Sequence, residues 1–211
     1  MKKRFLIAVV AAAAGLCLLP ATSAAAQLEG GVKVGVNIAF IHGPDLEYFP
    51  YLGSSWLMRF GLCGGGFVAL PLSKIVAVQA EALITTKGSH ESGTLFGDGE
   101  LPLYSLKITY LEIPLLLRAM TSPRKIGVFV LAGPALGLRL GTRLLRGSEA
   151  IPFSGAKSTD LGFVFAAGAV TFFGSWFELR YTAGMSKIIE VGGVPLNIKN
   201  GVFSLIAGYR F

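Results

Sequence analysis

The sequence predicts an all-β fold, namely an eight-stranded antiparallel up-and-down transmembrane β-barrel. Three observations predict it. Of the 211 residues, 53% are hydrophobic and only 15% are charged, whereas soluble domains usually carry about 25% charged residues. Apolar residues alternate with small or polar ones along eight segments. The connections between these segments are short and long in turn.

The first element, residues 1–26, has the pattern of a secretory signal peptide. A basic stretch over 2–4 is followed by an uncharged apolar run over 5–19 and by a small-residue A-x-A pattern that ends at Ala26. We therefore expect cleavage after Ala26, which leaves 27–211 as a single barrel domain. The alternative is a retained anchor helix.

The longest uncharged run after residue 26, over 161–177, has the period of a strand. Leu161, Phe163 and Phe165 fall on odd positions, whereas the glycines fall on even positions. A helix would scatter the same glycines around its axis, so the two-residue period favours a strand with one apolar face. The same alternation predicts the other seven strands, over 30–40, 57–70, 75–87, 104–119, 126–141, 176–187 and 201–211.

The lengths of the connections predict which end of the barrel is extracellular, and the lipid determines which face of each strand points outward. The second, fourth and sixth are short (71–74, 121–125 and 174–175), and the others are longer (about 41–56, 88–103, 142–157 and 188–199). Short periplasmic turns opposite long extracellular loops are typical of an outer-membrane barrel. Because lipid leaves every backbone polar group to be paired within the protein, the apolar face should point outward and the small or polar face inward. The alternative is a soluble lipocalin-type barrel with its apolar face inside.

Short motifs recur along almost the whole chain after residue 26. They are GVKVGVNIAF (31–40), Gln79 and Glu81 followed by TKG (86–88), YLEIPLLLR (110–118), AGP (132–134), DLGFVFAAG (160–168), ELRY (178–181) and GYRF (208–211). In this order they resemble the small outer-membrane β-barrel proteins of the porin family. The resemblance implies a location in the cell outer membrane, with outer-membrane lipid as a partner. It implies no reaction.

Aromatic residues mark the last strand and the expected membrane interfaces. The final strand carries apolar residues at two-residue steps, including Phe203, Leu205, Tyr209 and Phe211. A terminal strand of this form resembles the signal read by the barrel-assembly machinery, since an unpaired strand can add to another sheet edge. Phe211 could instead be a girdle aromatic. The aromatic residues expected in the two interface girdles are Trp56, Tyr110, Trp176 and Phe177.

Charged residues on the inward faces predict an ion network inside the barrel. Its expected members are Glu81, Glu112, Arg118, Glu178, Arg180, Arg59 and Arg139. Glu81 and Glu112 fall on adjacent strands at similar depth, and a carboxylate pair can perform acid/base chemistry. An eight-stranded barrel is, however, just wide enough to be filled by its own side chains, and buried charges must be paired. We therefore favour a network that fills the lumen.

The predicted function is a structural or surface-interaction role through the extracellular loops, without enzymatic activity. One alternative is a narrow pore or transporter for small solutes. Another is an outer-leaflet lipid-modifying enzyme, which would use His42 or His90, the latter beside Ser89. No metal-binding spacing, phosphate loop or nucleophile elbow is present in the sequence, so no metal and no cofactor are expected. The basic residues are scattered, which argues against a nucleic-acid partner.

Overall fold

The computed structural model describes residues 28–45, 57–90, 104–121, 126–146, 149–151, 155–191 and 194–211. The predicted signal peptide and Trp56 lie outside the described residues. Within them, the strands are β1 (Glu29–His42), β2 (Leu57–Pro71), β3 (Val76–His90), β4 (Tyr104–Met120), β5 (Ile126–Arg146), β6 (Glu149–Ile151), β7 (Thr159–Thr171), β8 (Ser175–Gly184), β9 (Ile189–Val191), β10 (Val194–Leu196) and β11 (Lys199–Arg210). No helix in this part of the chain is long and apolar enough to cross a membrane.

Eight of these strands form a closed antiparallel barrel. Their order around the barrel is β4, β3, β2, β1, β11, β8, β7 and β5, and pairing of β5 with β4 completes the circle. The first and last long strands, β1 and β11, are paired over twelve residues. Because no long strand is left with an open edge, the backbone polar groups of the wall are satisfied as lipid requires. The predicted eight-stranded barrel is confirmed.

Three short strands and the length of β5 are additions to the predicted set. Strand β5 runs to Arg146, and its end pairs with β6 in a register that places Leu144 opposite Ile151. Strands β9 and β10 form a separate two-stranded hairpin in the last long connection. Segments of three residues are too short to show a period in the sequence, so the alternation could not predict them.

The two faces of the wall differ as the alternation predicts. Val34 on β1 and Leu205 on β11 are 64% and 62% exposed on the outer face. Their sequence neighbours Lys33 and Ser204 are buried on the inner face. Successive side chains of a strand point to opposite sides, so one strand supplies an apolar surface to the lipid and side chains to the lumen.

The connection between β7 and β8 sets the inner face of β8. Gly174 has φ +94°, a conformation that other residues rarely adopt, and an added Cβ would collide with the carbonyl oxygen of Arg210. The N–H groups of Gly174 and Ser175 donate to the carbonyl and hydroxyl oxygens of Thr171 at 3.0 and 3.1 Å. This tight turn fixes the register in which Trp176 and the residues at every second position after it point into the barrel.

Candidate functional site

The lumen contains one apolar cluster and one ionic cluster in each half. We call the half near the short turns the turn side and the half near the long loops the loop side. The turn-side apolar cluster consists of Phe67, Ala69, Leu116, Phe129, Leu131, Ala135, Val164, Ala166, Val170 and Trp176. The loop-side apolar cluster consists of Ile41, Leu106, Ile108, Tyr110, Ala156, Ile188, Ile189 and Ile198. The small or polar inward face that the sequence predicts thus also contains large apolar residues. Space beside small inward residues is taken up by large apolar ones, since protein interiors are close-packed.

The turn-side ionic cluster is a neutral quartet of Lys33, Glu81, Glu178 and Arg180. The Nζ of Lys33 lies 2.8 Å from Oε1 of Glu81 and 2.6 Å from Oε2 of Glu178. The Nη2 of Arg180 lies 2.8 Å from Oε2 of Glu81, and its Nε donates to Oε1 of Glu178 at 2.6 Å. All four side chains are at most 3% exposed. The two cations neutralise the two carboxylates, which is the condition for burying such groups.

Neutral side chains complete the hydrogen bonding of this quartet. Gln79 donates from Nε2 to Oε1 of Glu81 at 2.7 Å, and Trp176 donates from Nε1 to Oε2 of Glu178 at 2.9 Å. The Nζ of Lys33 also lies 4.8 Å from the centroid of the Trp176 ring, within the range of a cation–π contact. The indole therefore joins the ionic cluster to the turn-side apolar cluster.

A second chain of contacts runs from the quartet to the turn end of the barrel. Arg118 donates from Nη1 to Oε1 of Gln79 at 3.1 Å and forms an ion pair with Glu29 through Nη2. Arg210 lies on the other side of Glu29, with Nη1 3.7 Å from Oε2. Since Glu29 and Arg210 belong to β1 and β11, this chain also connects the first and last strands.

The loop-side ionic cluster has longer contacts and an excess negative charge. The Nζ of Lys87 lies 3.5 Å from Oε1 of Glu112 and 3.4 Å from Oδ2 of Asp160. Charge-assisted N–H···O hydrogen bonds are usually about 2.7–2.9 Å long. Asp160 also accepts from Asn200 Nδ2 at 3.0 Å and from Ser186 Oγ at 2.9 Å. One ammonium thus faces two carboxylates, and neutral donors supply the rest.

Several buried polar atoms around the loop-side cluster lack a partner among the described residues. They are the hydroxyl oxygen of Tyr110 and the Oδ1 atoms of Asn200 and Asn37. Asn37 still donates from Nδ2 to Oγ1 of Thr85 at 2.7 Å. Across the part of the chain that the structure describes, no group of three His, Cys, Asp or Glu residues could hold a metal ion.

The loop-side apolar cluster is built partly from the last long connection. Ile188 and Ile198, which flank the β9–β10 hairpin, are joined by a 3.0 Å hydrogen bond from the N–H of Ile188 to the carbonyl of Ile198. Both are fully buried, together with Ile41 and Ile108 of the wall. The connection therefore folds its apolar residues over the loop end of the lumen.

The structure separates the predicted network into two clusters. It brings Glu81, Glu178 and Arg180 together, but it places Glu112 with Lys87. The expected carboxylate pair of Glu81 and Glu112 is thus divided between different cations. Sequence reasoning left three charged members of the two clusters out of its predicted set, although the alternation had placed them on inward faces: Lys33, Lys87 and Asp160.

Arg59 and Arg139 lie outside both clusters. Arg59 is half-buried and donates from Nη1 to the hydroxyl of Ser105. Arg139 is also half-buried, and its Nη1 lies 3.5 Å from Oγ1 of Thr142. Neither forms an ion pair with another of the residues described.

Two of the predicted interface aromatics point into the lumen. Trp176 and Tyr110 are both 0% exposed, so their assignment to the girdles was wrong. Trp176 lies two residues before Glu178, and Tyr110 lies two residues before Glu112, so each shares the inner face with that carboxylate. Phe177, one residue further along, is 56% exposed on the outer face near the turn end. The place of an aromatic residue in the two-residue alternation of its strand, and not its nearness to a turn, decides whether its side chain meets the lipid.

Three residues of the predicted assembly signal lie on the outer face of β11, and the fourth, Phe211, directly follows the strand. Phe203, Leu205, Tyr209 and Phe211 are each about half exposed or more. Strand β11 is paired with β1 on one edge and with β8 on the other. In the closed barrel its edges are therefore occupied.

A family model described as "Outer membrane protein beta-barrel domain" matches residues 21–190. The chain belongs to this family. Together with the closed barrel and its apolar outer face, this makes the protein an integral β-barrel of the outer membrane. No curated protein matches the sequence.

Solved structures of other bacterial proteins align with most of this chain. Neisserial surface protein A aligns with a TM-score of 0.52 at 10% identity, covering 86% of this chain and 97% of that one. The attachment invasion locus protein Ail of Yersinia pestis aligns with a TM-score of 0.46 at 15% identity, covering 88% and 99%. For OprG of Pseudomonas aeruginosa the TM-score is 0.44 at 16% identity, covering 86% and 96%. At these identities, the likeness to Neisserial surface protein A concerns the fold alone.

Proposed function

We propose that the protein is a closed, non-conducting barrel with a structural or surface-interaction role, which it performs through its extracellular loops. The observation that carries the proposal is the filled lumen. The turn-side quartet joins side chains of β1, β3 and β8 across the interior by contacts of 2.6–2.8 Å. Removing one partner from such a buried set leaves an unpaired charge, so a path through it is costly to open.

The loop end supplies the second support. The residues beside the β9–β10 hairpin close the lumen with buried isoleucines, whereas Val194 of the hairpin is 63% exposed. This arrangement presents a surface outward while it shuts the interior. Loops carried on a rigid scaffold are common sites of recognition.

Planar-bilayer recording tests the closed lumen. We expect the purified protein to insert without steady open channels. The double variant Glu81→Ala/Arg180→Ala removes one charge of each sign from the quartet and should show frequent openings. The control Phe177→Ala changes the lipid-facing surface and should stay silent. Steady conductance by the unaltered protein would contradict the proposal.

Accessibility in intact cells tests the loop surface. In a Cys63→Ala background, a cysteine introduced by Val194→Cys should react with a membrane-impermeant maleimide. A cysteine introduced by Leu72→Cys near the turn end should react only after the outer membrane is broken. Labelling in the opposite order would place the loops on the periplasmic side and remove the basis for a surface role.

A narrow pore for small solutes is the second candidate. It is favoured by the long Lys87 contacts and by the unpartnered polar atoms of Tyr110 and Asn200, which leave the loop-side half less tightly bonded. Liposome uptake of small neutral, cationic and anionic solutes separates the candidates. The pore would be supported if the protein allowed uptake of one class of solute and Lys87→Met changed that uptake.

We also propose that the protein catalyses no reaction. His42 lies exposed on the outer face of β1, and its ring centroid is 5.8 Å from that of Phe40. Incubation with phosphatidylcholine and lipopolysaccharide, followed by mass spectrometry, should show no altered lipid. Turnover that His42→Gln or His90→Gln abolishes would establish an enzyme instead.

The partners that we propose are outer-membrane lipid along the apolar outer face and the barrel-assembly machinery before the barrel closes. Because both edges of β11 are occupied in the closed barrel, any recognition of its free edge must precede its pairing with β1. Phe211→Ser should lower the amount of folded protein in the outer membrane, measured by heat-modifiability gel. Ile126→Ser, also on the outer face near the turn end, is the control. An equal loss in both variants would argue against a C-terminal signal.

A further inference from the structure

A β-bulge in β5 turns a basic residue out of the lumen. Tyr110 of β4 is paired with Arg139 of β5, but the next pair is Thr109 with Gly141, so the register skips Leu140. A skipped residue reverses the faces of the strand beyond it. Arg143, which the regular alternation would place with Arg139 on the inner face, therefore points outward.

The reversed register sets Arg143 directly opposite Lys107. The neighbouring pair, Leu106 and Leu144, lies on the inner side, because Leu106 is buried in the loop-side apolar cluster and Leu144 packs against it. Lys107 and Arg143 are thus two like charges facing each other on the outer surface, an arrangement that is destabilising by itself. Neither forms an ion pair with a described residue.

The outer surface beside the two cations is open at a glycine, and we call this position the notch. Thr109 and Gly141, the adjacent outward pair, are its floor. A Cβ added to Gly141 would meet no atom within 4 Å. The notch therefore combines an ammonium group, a guanidinium group and a hydroxyl group around unoccupied surface.

The position of the notch at the edge of the apolar outer surface favours a lipid as its ligand. Leu138 and Leu140, which precede it on β5, are 37% and 58% exposed on the wall. The notch thus follows the apolar surface at its loop-side end, the level of the lipid headgroups in an outer-membrane barrel.

A second outward pair of basic side chains shows what is particular to the pair of Lys107 and Arg143. His42 and Lys199 are paired on β1 and β11, on the opposite side of the barrel. Below them the ring of Phe40 covers Gly201, so that a Cβ there would collide with the ring. This pair also lies at the loop end of its strands, but it contains one lysine and no arginine, and it has no notch beside it.

We propose that the notch of Lys107, Arg143, Thr109 and Gly141 binds the phosphate group of a lipid headgroup. Arginine matches phosphate oxygens with two parallel N–H donors, and lysine adds a second positive charge. The bound phosphate would relieve the repulsion between the two cations and fasten one lipid to the β4–β5 side of the wall.

Native mass spectrometry of the full protein in detergent micelles tests this site, with phosphatidic acid, phosphatidylcholine and inorganic phosphate as probes. We expect phosphatidic acid to bind at least about tenfold more tightly than phosphatidylcholine, since each basic residue near an anionic lipid contributes about a fivefold preference. Lys107→Gln/Arg143→Gln should remove this preference. Gly141→Leu keeps both charges but fills the notch, and it should weaken binding by a similar factor. Lys199→Gln, the matched control, should change binding less than twofold.

Three results would overturn the proposal. Unchanged binding of phosphatidic acid in the double variant would show that Lys107 and Arg143 do not contribute to the site. An equal loss in Lys199→Gln would indicate general surface charge. Inorganic phosphate binding as tightly as phosphatidic acid would make a free anion the ligand. The heat-modifiability shift of each variant verifies that it is folded, so that a loss of binding is not a loss of the barrel.

Discussion

The turn-side and loop-side ionic clusters use the same central motif, a lysine between two carboxylates, but with different results. Lys33 lies 2.8 and 2.6 Å from its two carboxylates, whereas Lys87 lies 3.5 and 3.4 Å from its own. The turn-side cluster adds Arg180, which contacts both carboxylates and makes the set neutral. The difference teaches that a guanidinium group fixes carboxylates in a way that an ammonium group alone does not.

Hydrogen-bond satisfaction also differs between the quartet and the loop-side ionic cluster, although Nε of Arg118, outside the quartet on the turn side, has no partner among the described residues either. Every buried side-chain N and O atom of Lys33, Glu81, Glu178 and Arg180 has a partner. Near Lys87, the hydroxyl of Tyr110 and Oδ1 of Asn200 have none among the described residues. A fully satisfied buried network is rigid, and a partly satisfied one is less so. The quartet should therefore be more sensitive to substitution than the loop-side ionic cluster.

The largest expected effect is that of Lys33→Met. It leaves Glu81 and Glu178 with Arg180 as their single charged partner, so that a net negative charge is buried. Loss of one partner from a buried ion pair costs about 3–5 kcal/mol. The free energy of unfolding in urea, with the protein in detergent micelles, measures this. A loss below about 1 kcal/mol would show that the quartet is hydrated and not sealed.

Trp176→Phe should cost about 2 kcal/mol, because it removes a buried hydrogen bond to the charged Glu178. It retains an aromatic ring against Phe129, whose centroid lies 3.9 Å from that of Trp176. The same unfolding measurement applies, with Phe177→Leu on the lipid face as the control. A smaller effect than that of the control would mean that the indole N–H contributes nothing to holding the carboxylate.

Lys87→Met should cost about 1–2 kcal/mol, less than Lys33→Met, because its contacts are longer and Asp160 keeps Asn200 and Ser186. The comparison between the two lysines is the sharpest test of the difference between the clusters. Equal losses would show that contact length in these clusters does not report their strength.

Tyr110→Phe should change the free energy of unfolding least, by less than about 0.5 kcal/mol, or should raise it. The hydroxyl it removes is buried without a partner, and replacing an unsatisfied polar group is nearly neutral or stabilising. A loss above about 1 kcal/mol would indicate that this hydroxyl is hydrogen-bonded in the membrane-embedded protein.

The alternation in the sequence was sufficient to predict the strands of the wall, but not which side chains contact one another in the lumen. It placed the eight long strands and the inward face of Glu178 and Arg180, because a two-residue period is a local property of the chain. It could have placed Trp176 on that same face, but nearness to the turn was given more weight. Lys33 and Glu178 are 145 residues apart. Their contact depends on barrel closure and register, which no local pattern contains. The bulge at Leu140 is likewise visible only in the pairing with β4.

The quartet also bears on the order in which the strands of the barrel can assemble. Lys33 belongs to β1 and its partners Glu178 and Arg180 to β8, and β11 is the strand between these two. Until β11 is in place, the lysine and its most distant carboxylate remain on opposite sides of a gap in the wall. Uncompensated charges are costly at membrane depth. The last strand thus does more than remove two open edges: its insertion is the step that completes the ion pairs of the quartet, so a chain that stops one strand short holds incompletely paired charges, which oppose its residence in the bilayer.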